Sequence, residues 1–215
     1  GNHGEDCKDH YYYLDSTPTH SCMKALYKYP QQAFPYDDLI QTNRRRSQYE
    51  PEYELTDTGA FDENRYFDVI AEYAKNTPDD VLIRITIANR GPDAATIHVL
   101  PTLWFRNTWS WGRTSEGYTA KPSIRIESES TLVAEHETLG RYIFQVDVKG
   151  PGPGKQPQFL FTENQTDAQR LFRALNAEPY VKDAFHEYVI NGNAGAVNPA
   201  RVGTKSAVHC VLRVP

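Results

Sequence analysis

All three tryptophans of the chain fall in one run, Leu103-Trp104-Phe105-Arg106-Asn107-Thr108-Trp109-Ser110-Trp111-Gly112. Indole faces stack on the apolar C–H groups of sugars, and guanidinium and amide groups meet sugar hydroxyls, so this run has the residue types of a carbohydrate contact. Arg106, Asn107, Trp109 and Trp111 form the candidate set, to be met either by substrate or by a neighbouring domain. They sit just past an expected strand end, where a loop can display them. Trp104 and Phe105 are assigned to the core.

Carboxylate pairs are the other source of chemistry. Glycoside hydrolysis needs one protonated and one ionised carboxyl held roughly 5 to 10 Å apart. Asp37/Asp38, Glu52/Glu54, Asp62/Glu63 and Glu135/Glu137 are near neighbours, but 28 Asp and Glu in 215 residues make such neighbours common without any function. Asp37-Asp38 suits a helix N-terminus, and Asp62-Glu63-Asn64 suits a turn. The segment Tyr11 to Ser21 holds Asp15, Ser16 and His20, the residue types of a hydrolytic triad. A triad needs its nucleophile on a defined turn, and no G-x-S-x-G elbow occurs. Gly1-Asn2-His3-Gly4-Glu5-Asp6, with His10 and His20 nearby, could ligate a metal or brace a loop. Its spacing matches no established ligand set, so loop architecture is the expected use. No catalytic residue, metal ligand or cofactor is assigned.

The 23 Lys and Arg against 28 Asp and Glu leave a net charge of −5. The one dense basic run, Arg44-Arg45-Arg46, is too small for a nucleic-acid footprint, so no nucleic acid is expected as a partner. Mean hydropathy is −0.65, and no apolar run approaches the roughly 18 residues that cross a bilayer. No membrane association is expected. Cys7, Cys22 and Cys210 form no C-x-x-C pair and are odd in number, which favours a reducing, cytoplasmic compartment. The sequon Asn164-Gln165-Thr166 would matter only in a secreted chain. The first and last residues read like the interior of a longer protein, so the chain is expected to be an excerpt.

Period-two alternation dominates the elements that must position these groups. Val81, Ile83, Ile85 and Ile87 alternate with Leu82, Arg84, Thr86 and Ala88, and Phe67, Val69, Ala71 and Tyr73 repeat the device, the pattern of half-buried strands. Asn76-Thr77-Pro78-Asp79 links these two strands. Arg90-Gly91-Pro92-Asp93 is expected to close a hairpin onto a strand at 96–105, interrupted at Pro101. Tyr142 to Val148 and Val208 to Val214 alternate too. Shorter strands are expected at 11–14, 22–29, 52–56, 124–127, 131–135, 158–162 and 187–190, and the Gly150-Pro151-Gly152-Pro153-Gly154 stretch reads as a hairpin loop. Two helices are expected, at 37–47 and at 167–174, the second with Leu171, Phe172 and Leu175 on one stripe. The resulting fold class is mainly β: a large antiparallel β-sandwich with one or two short helices, in a single domain over residues 1–215.

Several long strings carry a family resemblance. They are Gly1 to Asp6, Tyr13 to Ser21, Phe34 to Leu39, Leu100 to Trp111, Leu160 to Asn164 and Asn198 to Lys205. They resemble large bacterial proteins labelled glucosidases, within glycoside hydrolase family 63, the family of processing α-glucosidase I. In that family an N-terminal super-β-sandwich, similar in topology to galactose mutarotases, precedes an (α/α)6 toroid. The toroid carries both catalytic carboxylates of an inverting α-glucosidase. The resemblance implies that this chain is the sandwich portion and that its catalytic carboxylates lie elsewhere. It also implies two partners, the (α/α)6 catalytic domain of the same polypeptide and an oligosaccharide substrate. Two other classes stay open: a free-standing carbohydrate-binding module, and an autonomous sugar-acting sandwich enzyme. For the second, Glu135-His136 cannot be matched to a mutarotase Glu base and His acid.

Overall fold

A computed structural model of the chain describes residues 9–115, 119–147 and 158–215. The Gly1 to Asp6 string, Cys7, Val148 and the Gly150 to Gly154 stretch lie outside the described residues. The chain divides into two compact units, residues 1–97 with 213–215, and residues 98–212.

The first unit is built on an antiparallel sheet in sequence order, β1 (His10–Ser16), β2 (Cys22–Pro30), β3 (Tyr66–Thr77) and β4 (Asp80–Asn89). The β1–β2 turn is fixed by Thr17, whose Oγ1 accepts from the backbone N–H groups of Ser21 and Cys22 at 3.0 and 3.1 Å. Between β2 and β3, α1 (Tyr36–Arg45) carries Asp37 and Asp38 in its first turn and Arg44 and Arg45 in its last, matching the helix dipole. A small core of Leu39, Leu55 and Ala60, flanked by Phe34, Tyr53 and Phe61, holds this segment together. The strand expected at 52–56 is instead a 3₁₀ turn over Leu55–Thr58. A reciprocal cap between Glu54 and Asp57 offers the backbone a better local hydrogen-bond partner than a sheet edge.

Period two decides the chemistry of the two sheet faces. The register places Tyr11 and Tyr13 beside Tyr27 and Ala25, these beside Val69 and Ala71, and these beside Ile87 and Ile85. Met23, Tyr29, Phe67, Tyr73, Val81 and Ile83 share that face, which is mainly apolar and carries Lys75 and Asn89 towards its two ends. The opposite face is braced by ion pairs. Lys24 and Arg84 flank Glu72 at 3.3 and 2.8 Å, and Lys28 and Arg90 flank the buried Asp68 at 3.0 and 2.6 Å.

In the second part of the chain, β10 (Gln158–Thr162), β12 (Lys205–Val214) and β5 (Ala95–Val99) form one sheet, and β6 (Thr102–Trp104) also pairs with β12. A second antiparallel sheet orders β11 (Val202–Gly203), β7 (Ser123–Ser128), β8 (Thr131–His136) and β9 (Gly140–Gln145). Ile124, Leu132 and Ala134 of one sheet pack against Phe159, Phe161, Val208 and Cys210 of the other, a two-layer sandwich with an apolar centre. The outer face of the β10–β12 pair is covered by α3 (Ala184–Asn191), whose Phe185 packs on Leu160 and Ala207. Alternation along β10 thus feeds two cores at once. The fold is mainly β, with antiparallel sheets and three short helices among the described residues.

Three local expectations are corrected here. The Arg90–Asp93 turn closes no hairpin, because β5 finds its partner in β12 rather than β4. The strand expected at 187–190 is the second half of α3, since Phe185 and Tyr188 at helical spacing meet the same core and Gly192 at φ 67° terminates the helix. The short helix α2 (Ala168–Phe172) is capped by Asp167, which accepts from the Arg170 N–H at 3.0 Å. Its apolar stripe is not buried, because Arg173 at φ 57° ends the helix and leaves Leu171, Phe172 and Leu175 exposed.

Candidate functional site

The tryptophan run leaves the end of β6 as a braced loop. The Phe105 N–H donates to the Thr204 carbonyl at 3.0 Å, and the Asn164 amide donates to the Phe105 carbonyl at 2.8 Å, so the backbone is pinned one residue before Arg106. Asn107 Oδ1 then accepts from the Ser110 N–H and hydroxyl at 3.3 and 2.8 Å. One 3₁₀ turn over Trp109–Trp111 follows, closed by the Trp111 N–H on the Thr108 carbonyl at 3.1 Å. Gly112 at φ 70° ends the turn in the left-handed region, where a side chain would be strained.

Each candidate side chain has a definite place. Trp111 is 44% exposed, and the guanidinium groups of Arg106 and Arg113 lie over its ring at 5.1 and 5.5 Å. Trp109 is half-buried, and its Nε1–H is buried with no acceptor among the described residues. The loop therefore brings Arg106 and Trp111 together, fixes Asn107 through Ser110, and tucks Trp109 inward. Trp104 is not in the core: it is 55% exposed on β6, while its neighbours Leu103 and Phe105 point into the sandwich. Strand alternation explains the correction, since three consecutive apolar residues cannot share one face.

A polar brace that leaves no linear signal in the sequence supports the loop. Glu163 is buried, and its carboxylate accepts from the Thr204 hydroxyl at 2.7 Å and pairs with Lys121 at 3.1 Å. Lys121 also meets Glu178 at 2.6 Å. Burial alone would lower the Lys121 ammonium, but hydrogen bonds to Glu178 and Glu163 outweigh it and hold the group above the usual lysine range. The same Thr204 hydroxyl accepts from the Asn164 N–H at 2.8 Å. With both oxygens of Glu163 engaged, its role is to hold Asn164, and through it the loop backbone. Only a buried Thr beside Leu160-Phe161-Thr162-Glu163-Asn164 could have signalled this, and nothing in linear spacing connects residues 121, 163 and 204. The amide of Asn164, the sequon residue, is turned inward by the same bond to Phe105.

Several of the remaining candidates make local contacts. Asp38 accepts from the Tyr53 hydroxyl at 3.0 Å, Glu54 caps its 3₁₀ turn, Glu63 pairs with Arg65 at 2.9 Å, and Glu135 faces Arg125 at 3.5 Å. His136 accepts from the Thr138 N–H at 3.2 Å, which fixes a turn. Ser16 and His20 lie 3.3 Å apart within the exposed β1–β2 turn. Among the described residues, no three His, Cys, Asp or Glu side chains converge as a metal site.

The apolar face of the first sheet is the other feature that needs an explanation. Tyr13 is 85% and Ile83 46% exposed, with Tyr11, Tyr29, Tyr73 and Val81 also open to solvent. The exposure lies towards β1 and the start of β4, while Phe67 is buried and Val69, Ile85 and Ile87 are half-buried; on the opposite face Tyr12 and Leu82 are exposed too.

The whole chain aligns at 38% identity over 245 residues with "Uncharacterized protein YMR196W" of Saccharomyces cerevisiae. It covers 22% of that relative's length, so it spans about a fifth of the curated protein it matches. No family model matches the chain, and no solved structure matches it.

Proposed function

We propose that the chain is the non-catalytic β-domain of a glycoside hydrolase family 63-like α-glucosidase. It packs on an (α/α)6 catalytic domain of the same polypeptide and shapes the access of an oligosaccharide to it. The carboxylates that cleave the glycosidic bond belong to that other domain, and the working compartment is the cytoplasm.

The uncovered apolar face of the β1–β4 sheet carries this reading. Tyr73, Val81 and Ile83 lie exposed close together on that face, and apolar side chains left open in a group are the kind of surface that marks a contact. The occupant fits the matched relative, in which a stretch like this chain makes up only 22% of the length and so adjoins far more polypeptide.

The test uses the longer polypeptide. Hydrolysis of maltose-type α-glucosides with inversion at the anomeric carbon is expected, together with no turnover by the 215-residue chain alone. Ile83→Lys with Tyr13→Lys should lower the turnover or thermal stability of the longer protein while leaving the circular dichroism of the 215-residue chain unchanged. A longer polypeptide inert towards α-glucosides would sink the proposal.

A second reading, a free-standing carbohydrate-binding module, is favoured by the exposed indole of Trp111 alone. Saturable binding of neutral oligosaccharides by the 215-residue chain, abolished by Trp111→Ala, would select it.

A further inference from the structure

The groups that the tryptophan loop leaves unengaged are biased towards donors. Arg106 makes no ion pair among the described residues, and its guanidinium is held over the Trp111 ring at 5.1 Å. Stacked in this way, a guanidinium keeps its edge N–H groups for a planar acceptor in a fork geometry. The carbonyl oxygen of Asn107 is taken by Ser110, which leaves its NH₂. The loop is also preorganised by the Thr204 and Asn164 bonds to Phe105 and by the Asn107–Ser110 bonds, so a ligand need not order it.

The guanidinium positions change the expected ligand chemistry. A neutral sugar would stack on an open indole, but here two guanidinium groups lie over the Trp111 ring. We propose that this loop binds an anionic saccharide, with the carboxylate or phosphate held by the Arg106 guanidinium and a neighbouring oxygen reached by the Asn107 amide. The inference rests on the reading that the loop faces saccharide, and it names the class of saccharide.

The chain supplies its own probe, because Trp104, Trp109 and Trp111 are its only tryptophans and intrinsic indole fluorescence reports this run alone. The 215-residue chain is titrated with glucuronate, glucose 6-phosphate, maltose, inorganic phosphate and an oligoglutamate peptide, at low and at physiological salt. The expected result is a saturable fluorescence change with glucuronate or glucose 6-phosphate, the stronger of the two identifying the anionic group. Maltose should bind at least tenfold more weakly. Arg106→Gln should lose at least tenfold in affinity, and Arg106→Lys should lose less, both with unchanged circular dichroism.

Equal binding of maltose, or no response to either charged sugar, overturns the proposal. Inorganic phosphate binding as tightly as glucose 6-phosphate reduces the site to a simple anion site and overturns the saccharide assignment. Oligoglutamate binding without charged-sugar binding does the same in favour of a protein partner. These outcomes are independent of whether the longer polypeptide hydrolyses α-glucosides, so the two readings fail separately.

Discussion

Asp68 sits between Lys28 and Arg90 on β3, and its carboxyl is under opposing influences. Burial would raise it, but hydrogen bonds and charges from Lys28 and Arg90 outweigh burial and hold it below the usual carboxylate range. A carboxyl depressed in the folded state stabilises the fold above its unfolded pKa of about 4 and loses that contribution as pH falls through the lower folded value. Asp68→Asn is therefore expected to cost about 1 to 3 kcal/mol at pH 7. The difference from the unmodified chain should narrow in urea melts run below about pH 4. Gly203 is constrained differently: a Cβ there would collide with the backbone carbonyl of Thr162, which cannot swing away like a side chain. Gly203→Ala should cost about 1 to 3 kcal/mol or more by the same measurement. Cys210 lies in the sandwich core with its thiol pushed up by burial, whereas Cys22 is exposed. A thiol reagent with peptide mapping should label Cys22 at once and Cys210 only on unfolding.

At the scale of elements, the strands were legible because period two is written into them. Val81, Ile83, Ile85 and Ile87 lie on one face of β4 as their spacing implies, and Asp37-Asp38 and Arg44-Arg45 mark the two ends of α1 as their charges imply. Pairing was not legible, since a strand's pattern states which face is apolar and not which strand lies beside it. Hence β5 was expected beside β4 and lies beside β12. Helix α3 was hidden because Tyr188, Val189 and Ile190 have strand-like side chains, and the burial of Phe185 against Leu160 and Ala207 outweighs that preference. Phe185→Ala should accordingly destabilise by about 3 to 5 kcal/mol in urea unfolding, because it empties a site between helix and sheet. Of the candidate loop, the residue types were visible in the sequence. The Arg106–Trp111 stack and the Glu163–Thr204–Asn164 brace behind it depend on contacts between segments far apart in the chain.

At the scale of the whole molecule, the uncovered face of the first sheet should govern solution behaviour when the 215-residue chain is studied alone. Tyr11, Tyr13, Tyr29, Tyr73, Val81 and Ile83 present apolar area that water does not favour. Concentration-dependent self-association is expected in sedimentation experiments, and Ile83→Lys with Tyr13→Lys should suppress it. A change at these exposed positions should move stability by no more than about 0.5 kcal/mol. Strictly monomeric behaviour of the unmodified chain at high concentration would count against the face as a contact surface. No helix among the described residues is long and apolar enough to cross a membrane.

The strand at residues 205–214 has one more consequence, for the order of events during synthesis. β12 is the common neighbour of β10, β5 and β6, so three strands made earlier can find no partner in their sheet until it emerges from the ribosome. Until then Phe159 and Phe161 have no Val208 or Cys210 to close the layer between the sheets. The first sheet is wired the opposite way, each strand following its neighbour, and can zip up as it is made. A nascent chain halted before Lys205 would thus carry a finished meander joined to a waiting, chaperone-accessible half-sandwich, and release of ten more residues would close it.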